Sequence, residues 1–190
     1  RIAVPKHRGV GQRDGTHGLE IRSGGVEVYP QLVPNPGERT FNPELISTGH
    51  QSLDTILGGG IERGSVTILS GPTGIGKSTI GAQILDGVVD TGGTALGYLF
   101  EESNEQFTYR SDKLGIPITD HTKAGSIHLR EIEPLVLSAE EFAGQVKQSV
   151  SEKEADLVFI DGLSGYKIAL QGDEERLVRR LHALTRVLKN

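Results

Sequence analysis

The chain has 190 residues, enough for one compact domain or for one domain and a piece of another, and too few for two full ones. With 20 basic residues against 25 acidic ones the net charge is −5, which excludes a whole-chain basic field for nucleic acid and leaves only a local patch open. The absence of Cys excludes a disulfide framework and a thiolate metal centre, and no stretch approaches the length of a membrane span.

The opening RIAVPKHRG carries neither a Met nor an apolar signal segment, so it reads as cut from a longer protein, and loss of a targeting sequence with the missing part stays open; the cytoplasm is the expected compartment. LEIRSGGVEVY at 19–29 alternates on both sides of Ser23-Gly24-Gly25, a hairpin signature. PQLVPNPGERTFNP at 30–43 is rich in proline and without period, which predicts an extended linker. HQSLDTIL then fits a short helix closed by Gly58-Gly59-Gly60. Val66 to Ser70 is the first strongly β-branched run and is expected to be a strand.

Behind the next glycine turn Ile80, Ile84 and Val88 fall four apart, predicting a helix with one buried stripe that ends near Gly92-Gly93. TALGYLF reads as a second buried strand. Ser103 with Gln106 is a capping box opening a helix through about Leu114, and Ser138 with Glu141 repeats it for a helix through about Ser151. SIHLREI and LVFID read as further strands. Residues 173–189 form an amphipathic helix with Leu177, Leu181, Leu184 and Leu188 on one face. Strands alternating with helices predict an α/β fold with a parallel sheet.

Between the first strand and the first long helix, Gly71, Gly76, Lys77 and Ser78 satisfy G-x-x-x-x-G-K-[ST]. Glycines let the backbone of Gly71-Pro72-Thr73-Gly74-Ile75-Gly76 turn its N–H groups, which every residue but Pro72 carries, inward around phosphate oxygens, and the helix that starts at Lys77-Ser78-Thr79 aims its positive end at the same place. Lys77 is then the ligand of the β- and γ-phosphates of ATP, and the Ser78 hydroxyl a ligand of Mg²⁺. A plain strand-to-helix turn is the weaker alternative. Asp161, closing LVFID, is the candidate second Mg²⁺ ligand, because a buried strand delivers its last side chain to the sheet edge where phosphates lie. Glu101 and Glu102, after GYLF, are candidates to orient or deprotonate water, although acids just ahead of a helix are stabilising in any case. The histidines at 7, 17, 50, 121, 128 and 182 show no metal-ligand spacing. Lys6 and Arg8 read either as phosphate ligands or as one solvated face.

STGHQSLDTILGGGIERGSVTILSGPTGIGKST, YLFEESNEQF and LVFIDGLSG together resemble the KaiC family within the RecA-like ATPases. KHRGVGQRDGTHGLEIRSGGVEVYP is similar to the end of a KaiC-type domain. The resemblance covers nearly the whole chain and implies the tail of one such domain at 1–33, a linker at 34–46, and an ATPase domain at 47–190 lacking its last strands. It implies a RecA-like P-loop fold, Mg-ATP hydrolysis with Glu101 and Glu102 as the catalytic pair, and ATP-dependent self-association into a hexameric ring. Lys6 and Arg8 match the family's K-x-R, which reaches a neighbour's nucleotide, and so would serve the upstream domain's sites. Leu114 stands where the family often has an aromatic near the adenine.

The leading expectation is therefore an ATPase whose slow turnover is a conformational signal, with signalling proteins as partners. A circadian-type autokinase is a narrower version, for which this chain holds no matched phosphosite. A DNA-dependent recombinase or helicase of the RecA, RadA and DnaB branches is the alternative, against which the acidic balance weighs. A nucleotide sensor without hydrolysis, or an assembly scaffold, is the third reading.

Overall fold

Five-residue strands buried on both faces read as unbroken apolar runs, and ALGYL is one: every residue from Ala95 to Leu99 is buried. In a computed structural model, which describes residues 2–3, 16–30, 44–133, 135–165 and 183–185, this strand is the centre of the sheet. Lys6, Arg8, residues 34–43 of the linker, and most of the last helix lie outside the described residues.

In chain order the elements are β1 (Ile2–Ala3), β2 (Thr16–Arg22), β3 (Gly25–Tyr29), β4 (Leu45–Ile46), α1 (Gln51–Ile56), β5 (Ile61–Glu62), α2 (Lys77–Asp90), β6 (Ala95–Leu99), α3 (Asn104–Lys113), α4 (Ile118–Ala124), β7 (Ile127–Glu131), α5 (Ala139–Lys153) and β8 (Leu157–Asp161). The main sheet is parallel, in the order β7-β6-β8. The expected α/β class holds.

Alternate residues of β6 feed two cores. Ala95 and Leu99 join Ala82, Leu85 and Val88 of α2, Phe107 of α3 and Ile118 of α4 on one face. Leu96, Tyr98 and Phe100 join Phe142, Ala143 and Val146 of α5 and Leu184 on the other. Phe142 meets the Tyr98 and Phe100 rings edge-on at 5.3 and 5.2 Å. Leu184 is the part of the expected last helix that the structure describes, and it is buried as predicted.

The hairpin β2–β3 turns at Ser23-Gly24, as expected, and its first strand begins at Thr16, three residues earlier than the alternation suggested. It packs on α5, where Arg22 and Tyr29 both reach Glu141. That contact explains why the second capping box is half formed. Ser138 Oγ accepts from Glu141 N at 3.2 Å, but the Glu141 carboxylate is buried against the hairpin and does not turn back to Ser138.

Three other departures have local causes. The run Val66–Ser70 forms no ladder, with Val66, Ile68 and Leu69 exposed by 48%, 71% and 38%. Among the described residues β8 is paired only with β6, so the run has neither a paired neighbour nor two covered faces, and those are what stabilise a β-branched strand. Ile80 is 37% exposed, and the buried stripe of α2 runs instead through Gly81, Ala82, Ile84, Leu85 and Val88. The helix α4 and the short antiparallel pair β4–β5 carry too few residues for a period to show. No described helix is long and apolar enough to cross a membrane.

Candidate functional site

The turn Gly71–Gly76 ends in two glycines with left-handed backbones, Gly74 at φ 82° and Gly76 at φ 96°. Only glycine adopts these angles without strain, so the loop's curvature is written into its sequence. Gly76 is also the N-cap of α2 and offers no side-chain acceptor. The first N–H groups of α2 are thus left for something other than a capping residue. A Cβ at Gly74 or Gly76 would meet nothing within 4 Å, so the space over the loop is open.

Pro72, Thr73 and Ile75 are exposed around the loop, and Lys77, Ser78 and Thr79 form the partly exposed first turn of α2. Lys77 Nζ donates to the carbonyl oxygens of Gly71 at 3.0 Å and Pro72 at 2.9 Å, closing the loop on itself with an ammonium at its centre. Uncapped N–H donors and an ammonium inside a glycine turn fit a polyphosphate.

What connects this loop to the sheet is Gly81. One turn beyond Lys77, its missing Cβ would lie 2.3 Å from the Phe159 ring, so α2 sits directly on β8. Side chains two apart on a strand share a face, and Phe159 packs in the α2-side core while Val158 and Ile160 pack in the other. Asp161 therefore belongs to the face that α2 covers. A carboxylate on that face and the Ser78 hydroxyl are both hard oxygen donors of the kind Mg²⁺ takes.

Register gathers the acids. Leu99 pairs with Asp161 on one side and Glu131 on the other, so the strands end level with one another. Phe100 N donates to Asp161 O at 3.0 Å, carrying the chain past that edge into Glu101 and Glu102. Glu101 is exposed and lies over Gly162, whose absent Cβ would come within 2.8 Å of Glu101 Cγ. Glu102 takes a different partner, in a two-pronged ion pair with Arg110 of α3: Nη1 to Oε2 at 2.5 Å and Nη2 to Oε1 at 2.7 Å. Those hydrogen bonds hold the Arg110 guanidinium above its ordinary value, against partial burial, with the Glu102 and Asp161 charges adding to the effect.

Ser103 Oγ accepts from Gln106 N at 3.2 Å and Gln106 Oε1 accepts from Ser103 N at 3.3 Å, completing the capping box read from the sequence. Glu131 at the end of β7 accepts from Asn104 N at 2.6 Å, so a carboxylate of the neighbouring strand is bound to the start of α3.

The structure brings Glu101, Glu102 and Asp161 to one sheet edge and docks the helix that follows Gly71–Gly76 on the strand ending there. Lys6 and Arg8 lie outside the described residues. Sequence reasoning missed Arg110 and Glu131, because their partners lie outside any shared helical period. It also missed a second cluster, Asp86, Asp90 and His121, whose ligand atoms all lie within 4.8 Å of one another. Asp86 and Asp90 are four apart on α2, a visible spacing, but His121 arrives from α4 only through folding, with Nε2 2.7 Å from Asp86 Oδ1.

The family model described as "ATPase: KaiC" matches residues 46–190. The chain is 26% identical over 163 residues to the circadian clock oscillator protein KaiC of Acaryochloris marina, covering 86% of this chain and 31% of that protein. It is 27% identical over 163 residues to the protein of that name from Picosynechococcus sp., with the same coverage, and 28% identical over 164 residues to the circadian clock protein KaiC3 of Synechocystis sp., covering 86% of this chain and 32% of that protein. The chain thus spans about a third of the length of the curated relatives it matches.

Proposed function

The chain belongs to the KaiC ATPase family, and from that membership we propose that it binds Mg-ATP at Gly71–Thr79 and hydrolyses it slowly, the bound state serving as a conformational signal. One observation carries this reading: an uncapped helix start behind a left-handed glycine turn, with Lys77 inside it, seated through Gly81 on the strand that ends in Asp161. RecA-like folds put phosphates at this position, outside the carboxyl ends of parallel strands.

In the proposed mechanism the backbone of residues 71–79 wraps the phosphate oxygens with its N–H groups, Pro72 contributing none, and Lys77 leaves the Gly71 and Pro72 carbonyls for the β- and γ-phosphates. Ser78 and Asp161 are the residues that would hold Mg²⁺. When bound, that ion neutralises charge that develops on the phosphoryl oxygens. Glu101 or Glu102 orients a water and accepts its proton as the water oxygen bonds to the γ-phosphorus and the bond to the β–γ bridging oxygen breaks. The products are ADP and phosphate.

For a protein of the curated relatives' length, the circadian clock role follows their names, and the resemblance to the KaiC family extends the proposal to a ring in which ATP would lie between copies, with Lys6 and Arg8 contacting a neighbour's nucleotide from an upstream domain tail at 1–33. Anything that binds the assembled form better than the free chain promotes assembly. Mg-ATP is therefore expected to raise the mass seen by light scattering; an unchanged mass contradicts the ring.

Following the label of γ-labelled Mg-ATP separates the outcomes. Label released as phosphate, independent of single-stranded DNA, is the expected result. Label kept on protein indicates an autokinase, and release stimulated by DNA returns the recombinase or helicase reading.

A further inference from the structure

We propose that Arg110 is a positioning residue for hydrolysis: by fastening Glu102 to α3 it holds Glu101 over Gly162, beside Asp161, as the single carboxylate that orients the attacking water. The proposal rests on the ATPase reading and names a regulator of that same site.

The two glutamates are adjacent in the chain, yet the structure sends them to different partners. Glu102 is 14% exposed and takes both of its oxygens to the fork of Arg110. A planar guanidinium meeting a carboxylate through two parallel hydrogen bonds fixes orientation as well as distance. Arg110 is itself held, with its guanidinium carbon 5.7 Å from the centroid of the fully buried Phe107 ring. Glu102 therefore belongs mechanically to α3, whose own start is fixed by Ser103, Gln106 and Glu131.

Glu101 is exposed and lies against the glycine that follows Asp161, where a Cβ would come within 2.8 Å of Glu101 Cγ. Pinning residue 102 limits how the preceding peptide unit can turn, and so limits Glu101. The guanidinium also offsets the charge of one of the four carboxylates at this edge, Glu101, Glu102, Glu131 and Asp161, where a polyanionic substrate is to sit. Without Arg110, Glu102 is free to swing to the phosphate side, adding repulsion and competing with Glu101 for the water. No feature of composition or periodicity assigns Arg110 this part; the paired distances do.

The test compares wild type, Arg110→Gln, Arg110→Lys, Glu102→Gln and the double variant Arg110→Gln/Glu102→Gln, with kcat and the Kd of Mg-ATP measured for each. Arg110→Gln is expected to lower kcat by about fivefold or more with Kd within about twofold, because the loss falls on the chemical step and not on binding. Arg110→Lys, which keeps the charge without the fork, is expected to fall between the two. Because Arg110 acts through Glu102, adding Arg110→Gln to Glu102→Gln is expected to change kcat by less than about twofold, the mark of strong coupling. An unchanged kcat in Arg110→Gln, an effect wholly in Kd, or an undiminished loss in the Glu102→Gln background each overturns the proposal. The underlying reading fails differently: turnover that survives Lys77→Ala overturns the ATPase site itself, whereas turnover that needs Lys77 and ignores Arg110 overturns only the positioning role.

Discussion

Lys77 donates to two loop carbonyls, so in the proposed site nucleotide binding exchanges neutral acceptors for phosphate oxygens around the same ammonium. Hydrogen bonds to charged groups contribute about 1.5–3 kcal/mol each, and Lys77→Ala is expected to weaken Mg-ATP binding by at least about tenfold in a calorimetric titration. Glu101→Gln removes a proton acceptor without removing a phosphate ligand. Its expected signature is a fall in kcat of about 10²–10⁴-fold with the Kd of Mg-ATP little changed, read by steady-state phosphate release beside equilibrium binding. A loss of affinity without loss of kcat would move Glu101 out of the chemistry. At this scale the sequence is informative where local conformation or position depends on near neighbours: the left-handed Gly74 and Gly76, the start of α2 at Lys77, and Asp161 at the end of β8. It was silent on Arg110, because the ion pair with Glu102 spans a turn and a helix that only folding aligns.

Elements that declared themselves were those with a period and a punctuation mark. α3 begins where Ser103 and Gln106 cap each other, and β6 is buried throughout as its unbroken apolar run implies. The stop of Val66–Ser70 short of a ladder shows the limit, since a strand's existence depends on a partner that its own residues do not specify. The half-formed cap of α5 shows another: Glu141 fits the box, but Arg22 and Tyr29 from a distant hairpin take its carboxylate. Helix seating makes its own prediction. A Cβ at Gly87 would come 2.4 Å from Gly49 N and 2.6 Å from Thr48 C, backbone against backbone. Gly87→Ala is expected to destabilise by about 1–3 kcal/mol, a Tm loss of about 2–4 °C per kcal/mol in a calorimetric scan. The entry to α1 gives a pH dependence. Ser47 and Thr48 side chains and Thr48 N donate to Asp54, at 2.7, 2.6 and 2.8 Å, and hold its carboxyl below the usual carboxylate range. A depressed acid contributes stability that is present above its unfolded value, about 3.9, and is lost as pH falls through the folded value. Denaturant midpoints of Asp54→Asn are expected to depend less on pH in that acidic window than those of wild type, and equal slopes would remove Asp54 as the cause.

For the molecule as a whole, the sheet order β7-β6-β8 and its level strand ends turn scattered acids into one edge, and α2 brings the glycine loop to the strand that closes it. That convergence was legible in outline, since alternating strands and helices imply a parallel sheet whose carboxyl ends form one rim. Which acids face which helix was not, because it depends on register and on the division of β8 between two cores. The family match over residues 46–190 agrees with the fold so built. The central claim is that Gly71–Thr79 is an ATP site, and its most direct test is equilibrium titration of Mg-ATP into this chain and into its Lys77→Ala variant. Saturable binding to wild type that weakens by at least about tenfold in the variant is the predicted result; equal affinity in the two contradicts the account.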